Sequence, residues 1–416
     1  MWLRMIIIAD DITGAAEMAG LAFTKGLQVQ LVCSSAADNS HAATFPTATF
    51  PVCCDSVAAQ GITVIATDTR SMTEAEAVAE TRRIASPLLG RGRGRLFKKT
   101  DSALRGHVVA ELTALMQATG YQRVVYVPAN PSKGRIIRGG IYYIRKRNEG
   151  WEGWKEIPIH QTEFSYDPEF PALTSNLHER FPDAESHHII MPDAETEADI
   201  RRIVAQYDDG ATLFAGAADL FEVLQTLPRP LPIGRRVDSS CADYQGIKGN
   251  YSPSSTEGQG EGFCLFLCGS TQSKPLSPDI PVSPMPLAIY DGATDLSLWD
   301  VEAYFTHHRL ALTIPHSPFQ SEASLPVASR TGKETAVHLR TMMAQMARQL
   351  ATAHRPDHLV IEGGATAWST LHALGWHNFT IVNQLAPGVV QMRADCGTVV
   401  TLKPGSYPWP TPSPIT

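Results

Sequence analysis

Leu96-Phe-Lys-Lys-Thr-Asp-Ser-Ala-Leu-Arg-Gly-His107 decides how the rest of the chain is read. Leu96-Phe97 closes an apolar run suited to a strand, and Leu104, Val108, Leu112 and Leu115 then recur at helical spacing. Between them lie two lysines, an aspartate, a serine, an arginine and a glycine. In an open parallel sheet a strand-to-helix turn lies at the carboxyl edge, where such folds bind ligands. Lys99 and Arg105 suit an anion there, and Asp101 suits a hydroxyl. The competing reading is a solvated loop with Asp101 or Ser102 capping the helix.

The same grammar repeats on both sides. Met5 to Ala9 reads as a strand with Asp10-Asp11 at its tip, and Thr13 to Lys25 as a helix closed by Gly26. Val29 to Val32 is the next strand. Ile62 to Ala66 is another, with Asp68-Thr69-Arg70 at its tip, and Thr73-x-x-Glu76 is a capping box for the helix to Ala85. After the quoted stretch come the strand Arg123 to Val127 and an extended excursion over Ile136 to Ile144. His160 and Glu163 lie in a following loop, where a structural histidine is favoured. His187 to Ile190 is a strand, Thr196 caps a helix to Gln206, Leu213-Phe214 ends a strand, and Ala217 to Leu224 is helical. Alternating strands and helices predict an α/β fold with mostly parallel sheets covered by helices. Asp10, Asp11, Asp68, Arg70, Asp101 and Arg105 then share one sheet edge.

At 416 residues the chain exceeds one ordinary core. A Gly/Ser-rich stretch near Gly246 divides it into a first domain over 1–245, a linker over 246–262 and a second domain over 263–416. In the second domain a strand from Phe263 ends in Gly269-Ser270, and Glu334 to Ala353 is a helix with a buried methionine stripe. His358 to Ile361 is a strand leading into Glu362-Gly-Gly-Ala-Thr366. Two glycines there let backbone N–H groups approach a phosphate at a helix N-terminus; the competing reading is a tight turn with Thr366 as cap. Thr398 to Leu402 is a strand before Lys403-Pro-Gly405.

Several classes are disfavoured. A net charge of −7 argues against a nucleic-acid footprint. No apolar run approaches the ~18 residues of a membrane span, and Met1 to Ala9 suits a first strand better than a leader. Seven scattered cysteines suit reduced thiols in a cytoplasmic protein. Gly90 to Arg95 and Gly269-x-x-x-x-Lys274 fail the phosphate-loop pattern. The isolated histidine pairs do not form a metal cluster, and no Gly-x-Ser-x-Gly elbow marks a serine hydrolase. A homo-oligomer is compatible with all of this.

With Ala9-Asp-Asp-Ile-Thr-Gly-Ala15, Asp68-Thr-Arg70, Lys98-Lys-Thr-Asp-Ser-Ala-Leu-Arg-Gly106, Pro128-Ala129, Gly134-Arg135, His160-x-Thr-Glu-Phe164, Pro192-Asp-Ala-Glu-Thr196, Gly269-Ser270, Gly363-Gly364-x-Thr366, Pro387-Gly-Val389 and Lys403-x-Gly405 in order, the chain resembles the four-carbon acid sugar kinase family. The resemblance implies two α/β domains with the active site in the cleft between them. It implies an ATP-dependent kinase of threonate, erythronate or an oxo-tetronate, with Mg²⁺ carried on the ATP phosphates. It implies that Asp11, Arg70 and the Lys99-to-Arg105 cluster hold the substrate. On chemical grounds Arg70, Arg105 or Arg135 suits its carboxylate, Asp10, Asp11 and Asp101 its hydroxyls, and Asp11 and Lys99 the catalytic roles. Nucleotide contacts would come from Ser270, Gly363, Gly364, Ala365, Thr366 and Gly405. The chain departs from the family pattern at Ala365, where an acidic residue is common, and around Pro404. A non-catalytic sensor of sugar acid and nucleotide is the alternative from another class.

Overall fold

The computed structural model describes residues 5–34, 61–88, 95–147, 154–167, 169–226, 262–269, 280–300, 308–315, 332–405 and 409. Residues 246–261 of the expected linker and Ser270 lie outside the described residues.

The first half alternates as its apolar periods require: β1 (Met5–Ala9), α1 (Ile12–Thr24), β2 (Gln28–Cys33), β3 (Gly61–Ala66), α2 (Glu74–Ala85), β4 (Arg95–Lys99), α3 (Val108–Thr119) and β5 (Arg123–Val127). An antiparallel excursion follows, β6 (Arg135–Arg138), β7 (Ile141–Arg147) and β8 (Trp154–Pro158), forming its own three-stranded sheet. Then come α4 (Leu177–Arg180), β9 (Ile189–Ile190), α5 (Glu197–Tyr207), β10 (Thr212–Gly216) and α6 (Ala218–Thr226). The second half contributes β11 (Cys264–Cys268), β12 (Val282–Pro284), α7 (Leu287–Tyr290), β13 (Arg309–Thr313), α8 (Gly332–Ala353), β14 (His358–Glu362), α9 (Gly364–Ala373), β15 (Asn378–Ala386), β16 (Val389–Ala394) and β17 (Val399–Lys403).

Both halves feed one 14-stranded sheet in the order β12-β13-β11-β14-β17-β16-β15-β2-β3-β1-β4-β10-β5-β9. Pairings within each half are parallel, apart from the β15–β16–β17 meander. The halves join where β15 runs antiparallel to β2, with Phe379 opposite Leu31. Six pairings separate β1 from β14. At roughly 20–25° of twist each they rotate the strands by roughly 120–150°. That rotation offsets the reversal at the junction and turns the carboxyl edge of β14 toward that of β1.

α1 fills the angle between the halves. It is built from small residues, and it packs on β15, β16 and α9. A Cβ on Gly20 would lie 2.9 Å from a Val390 methyl, so the close approach requires glycine.

Most expected elements form, with physical reasons for the exceptions. The helical spacing from Leu104 does not yield a helix there: Leu104 has φ +65 and Gly106 φ +96, and α3 begins only at Val108. His187 belongs to a 3-10 turn, leaving Ile189–Ile190 as the strand. The helix expected from Ala367 starts earlier, at Gly364, so Thr366 lies inside its first turn and does not cap it. The capping box at Thr73, the cap at Thr196 and the buried Met342, Met343 and Met346 are as expected; Asp199 completes a second capping box at Thr196.

Candidate active site

The register of the central strands sets the site. Ala9 pairs with Ala66 of β3 and with Lys99 of β4. Two residues further on, Asp68, Asp11 and Asp101 therefore emerge at the same height from three adjacent strands. Asp10 sits one residue below Asp11, buried at 2% exposure.

Arg70, on the 3-10 turn after β3, ties this edge together. Its Nη2 lies 3.0 Å from Asp10 Oδ2, 3.2 Å from Asp11 Oδ1 and 3.6 Å from Asp101 Oδ1. The three carboxylates outweigh the cost of burying the guanidinium and hold its proton well above the ordinary range. In return, burial would raise Asp101, but Arg70 and Arg105 together keep it well below the usual carboxylate range. Arg105 grips Asp101 with two bonds, Nε to Oδ2 at 2.8 Å and Nη2 to Oδ1 at 3.0 Å, and reaches Asp167 at 3.4 Å. Asp101 also accepts the Ala103 N–H at 3.0 Å. It caps its own turn and not α3.

Asp11 is the N-cap of α1: the Gly14 N–H donates to its Oδ1 at 2.8 Å and the Thr13 hydroxyl to its Oδ2. Burial alone would raise its carboxyl; Arg70, Lys99 and these bonds bring it below the ordinary value. Asp10 goes the other way, raised by burial in spite of Arg70, and its buried Oδ1 has no hydrogen-bond partner among the described residues. An unsatisfied buried carboxylate oxygen costs free energy unless a donor completes it.

Two buried lysines flank the aspartates. Lys99 Nζ donates to the Thr100 carbonyl at 2.8 Å and lies 3.6 Å from Glu17, which also pairs with Lys133. Lys98 pairs with Glu111 at 2.5 Å, and Glu111 also accepts the Thr69 hydroxyl at 2.8 Å, which anchors the Arg70 turn. Arg135, at the start of β6, bonds the Ser102 hydroxyl and stands 5.7 Å from the Phe164 ring centre. The expected first-half residues thus gather on one edge. His160 is held through Nδ1 by the Ser175 hydroxyl at 2.6 Å, the structural role favoured for it.

The second half meets this edge at α9. Gly363 has φ +101 and supplies no side-chain cap, so the first N–H groups of α9 are open. A Cβ on Gly364 would stand 2.6 Å from the Thr13 methyl. The N-termini of α1 and α9 therefore touch, beside Asp11. Ala365 is exposed at this end, and Thr366 is buried against Gly269, where a Cβ would collide with its hydroxyl. Lys403 pairs with Glu362 at 2.5 Å and donates to the Gly405 carbonyl at 3.5 Å, placing Gly405 on the same edge. Open N–H groups at a helix N-terminus and a neighbouring lysine fit a phosphate chain. Among the described residues no group of three or more His, Cys, Asp or Glu side chains could hold a metal ion.

Glu17 was not expected in the site. The signal for it is local: Glu17 is the sole ionisable side chain in α1, an otherwise small and apolar helix.

Comparison with known proteins agrees with this division. A sugar-binding N-terminal domain matches residues 5–184, and a nucleotide-binding C-terminal domain matches residues 302–407. A D-threonate kinase of Salmonella typhimurium is 28% identical over 178 residues, 42% of this chain and 36% of that one. A D-erythronate kinase of Heliobacterium modesticaldum is 30% identical over 173 residues, 40% of this chain and 33% of that one. The matches to these two relatives thus span about a third of their length. A 3-oxo-tetronate kinase of Brucella melitensis is 23% identical over 419 residues, covering 94% and 89% of the two chains. In fold, a crystal structure from Salmonella typhimurium LT2 superposes with a TM-score of 0.62 at 16% identity, covering 98% of this chain and 97% of that one. A Haemophilus influenzae protein of the DUF1537 family does so at 0.57 and 16%, covering 97% of each chain. With both domain models matched in order and kinases of three tetronates among its relatives, the chain belongs to the four-carbon acid sugar kinase family.

Proposed function

We propose that the protein transfers the γ-phosphoryl group of ATP to a hydroxyl of a four-carbon sugar acid: threonate, erythronate or an oxo-tetronate. The observation that carries this reading is the contact of Gly364 with Thr13. It puts the open N-terminus of α9, suited to phosphate, against the acid–guanidinium edge suited to a polyol acid.

The first half, through its strand tips, takes the sugar acid, and the second half takes the nucleotide. Arg135, which bonds the Ser102 hydroxyl, and Arg105, three residues further along the chain, suit the carboxylate, since a planar guanidinium grips it with two bonds. Asp10 offers its unpartnered oxygen to a substrate hydroxyl, and Asp101 adds negative charge beside it. Arg70 holds the aspartates in place. Asp11 orients the acceptor hydroxyl and fixes the start of α1, and Lys99 neutralises charge on the transferring group. Gly363 to Thr366 and Gly405 line the nucleotide. Mg²⁺ rides on the ATP phosphates and shields their charge. The four free cysteines among the described residues accord with a reducing, cytoplasmic setting. No helix among those residues is long and apolar enough to cross a membrane.

The test is incubation with ATP, Mg²⁺ and each tetronate stereoisomer, with ADP and phosphorylated acid both measured. ADP release that depends on one or two of the acids is expected. Binding of acid and nucleotide without transfer would leave a sensor in place of a kinase, and phosphate release without ATP would overturn the reading.

A further inference from the structure

Three aspartates stand at one height on the tips of β1, β3 and β4, and they are not equivalent. Asp11 spends both oxygens on Gly14, Thr13 and Arg70. Asp101 spends both on Arg105, with the Ala103 N–H and Arg70 added. Each is locked as an anion and shaped to hold its neighbours. Among the described residues the Asp68 side chain accepts one bond, from the Ser71 hydroxyl at 3.2 Å. It occupies the N-cap position of its turn yet makes no capping bond. Its backbone is left-handed at φ +52. A non-glycine residue held there stores strain that sites of function tolerate.

We propose that Asp68 is the proton acceptor of the phosphoryl transfer. The inference rests on the kinase reading above and adds to it the residue that takes the proton. The substrate hydroxyl oxygen bonds to the γ-phosphorus, and the bond from that phosphorus to the β,γ-bridging oxygen breaks. ADP leaves with the bridging oxygen. The hydroxyl proton passes to the Asp68 carboxylate and from there to solvent.

The surroundings fit this role. Burial pushes the Asp68 carboxyl up to about 7; Arg340 on α8 and Arg70 on its own turn pull it down, and Asp11 pushes it up. Cys33 at the end of β2 also faces it, and burial keeps that thiol protonated. A base whose affinity for a proton matches neutral pH accepts and releases it most readily. Asp11 and Asp101, held below the ordinary carboxylate range, are poor acceptors by the same measure. Arg340 comes from the second half, so charged residues of both halves bear on this base.

The experiment compares pH profiles of kcat/KM for wild type, Asp68→Asn and Asp11→Asn, using the acid found in the panel. It is paired with a carbon-13 carboxyl NMR titration of aspartate-labelled protein. Wild type is expected to gain activity as pH rises through about 7. Asp68→Asn is expected to lose turnover by a factor on the order of 10²–10⁴ and to lose that acid limb. Asp11→Asn loses turnover but keeps the limb, moved to lower pH because the charge that pushes Asp68 up is gone. The NMR titration shows an aspartate with a midpoint near 7 that disappears in Asp68→Asn. Asparagine tolerates the left-handed backbone, and Asp68→Gly, at ease with positive φ, serves if the first variant fails to fold. Turnover of Asp68→Asn within a few-fold of wild type, an unchanged acid limb, or no such aspartate in the spectrum overturns the proposal and leaves the kinase reading standing. A wild type that phosphorylates no tetronate overturns both.

Discussion

Arg70 shows what a single side chain does at this edge. Its guanidinium is 16% exposed and faces three carboxylates. Removing one partner from a buried ion cluster leaves charge uncompensated, at about 3–5 kcal/mol. Arg70→Ala is therefore expected to be strongly destabilised near neutral pH, as read by urea unfolding. The sign of its pH dependence follows from Asp11 and Asp101, whose carboxyls are depressed below the ordinary value of 3.8 in the folded protein. Depressed carboxyls contribute stability above that value, and the contribution is lost as pH falls through their folded values. The deficit of Arg70→Ala should thus be larger at pH 7 than at pH 3, below the ordinary value. An equal deficit at both would mean that Arg70 acts through packing alone. The sequence placed Arg70 and the aspartates on one edge, because charged residues directly after apolar runs mark strand tips. It did not show that Arg70 serves three aspartates at once, nor that Asp11 doubles as a helix cap. Those depend on strand register, which local pattern does not contain.

At the level of elements, the contact between α1 and α9 decides how the two halves meet. The Gly-Gly turn was legible as a place of close backbone approach, but what approaches Gly364 is the Thr13 methyl as well as any ligand. An alanine at 364 would push against that methyl, and overpacking of this kind costs about 1–3 kcal/mol. Thr13→Ser removes the methyl and keeps the hydroxyl that donates to Asp11. Gly364→Ala is expected to lower the melting temperature in the wild-type background and much less in Thr13→Ser. A double-mutant cycle from thermal unfolding measures the coupling, and additive effects would place the strain elsewhere. The 101–107 turn gives the opposite lesson. Leu104 kept the spacing of α3, and period alone read it as helical. In the structure its positive φ and that of Gly106 fold the chain back, so that Asp101 can grip Arg105. Hydrophobic spacing reports which side chains are buried; it is blind to a leucine with left-handed backbone.

For the whole molecule, the long-range pairing of β2 with β15 matters most, and it was the least legible feature. Nothing in Gln28–Cys33 or Asn378–Ala386 names the other as partner, since the strands lie at opposite ends of the chain. The strand and glycine patterns gave two α/β halves, and the continuous sheet appears only in three dimensions. Its consequence is cooperativity. Large chains with separable units unfold in several steps. Here Phe379, 2% exposed and opposite Leu31, sits in the seam, and α1 packs on strands of the other half. Opening either half exposes that seam, so the cost of separating them is added to the first unfolding step. Scanning calorimetry is expected to show one endotherm with matching calorimetric and van't Hoff enthalpies. Phe379→Ala removes about 3–5 kcal/mol of core contact, and it should shift the whole endotherm downward. Two endotherms in the wild type, or a shift of one component only in Phe379→Ala, would mean that the seam does not couple the halves. The edges proposed to bind the acid and the nucleotide would then be free to part while each half stays folded.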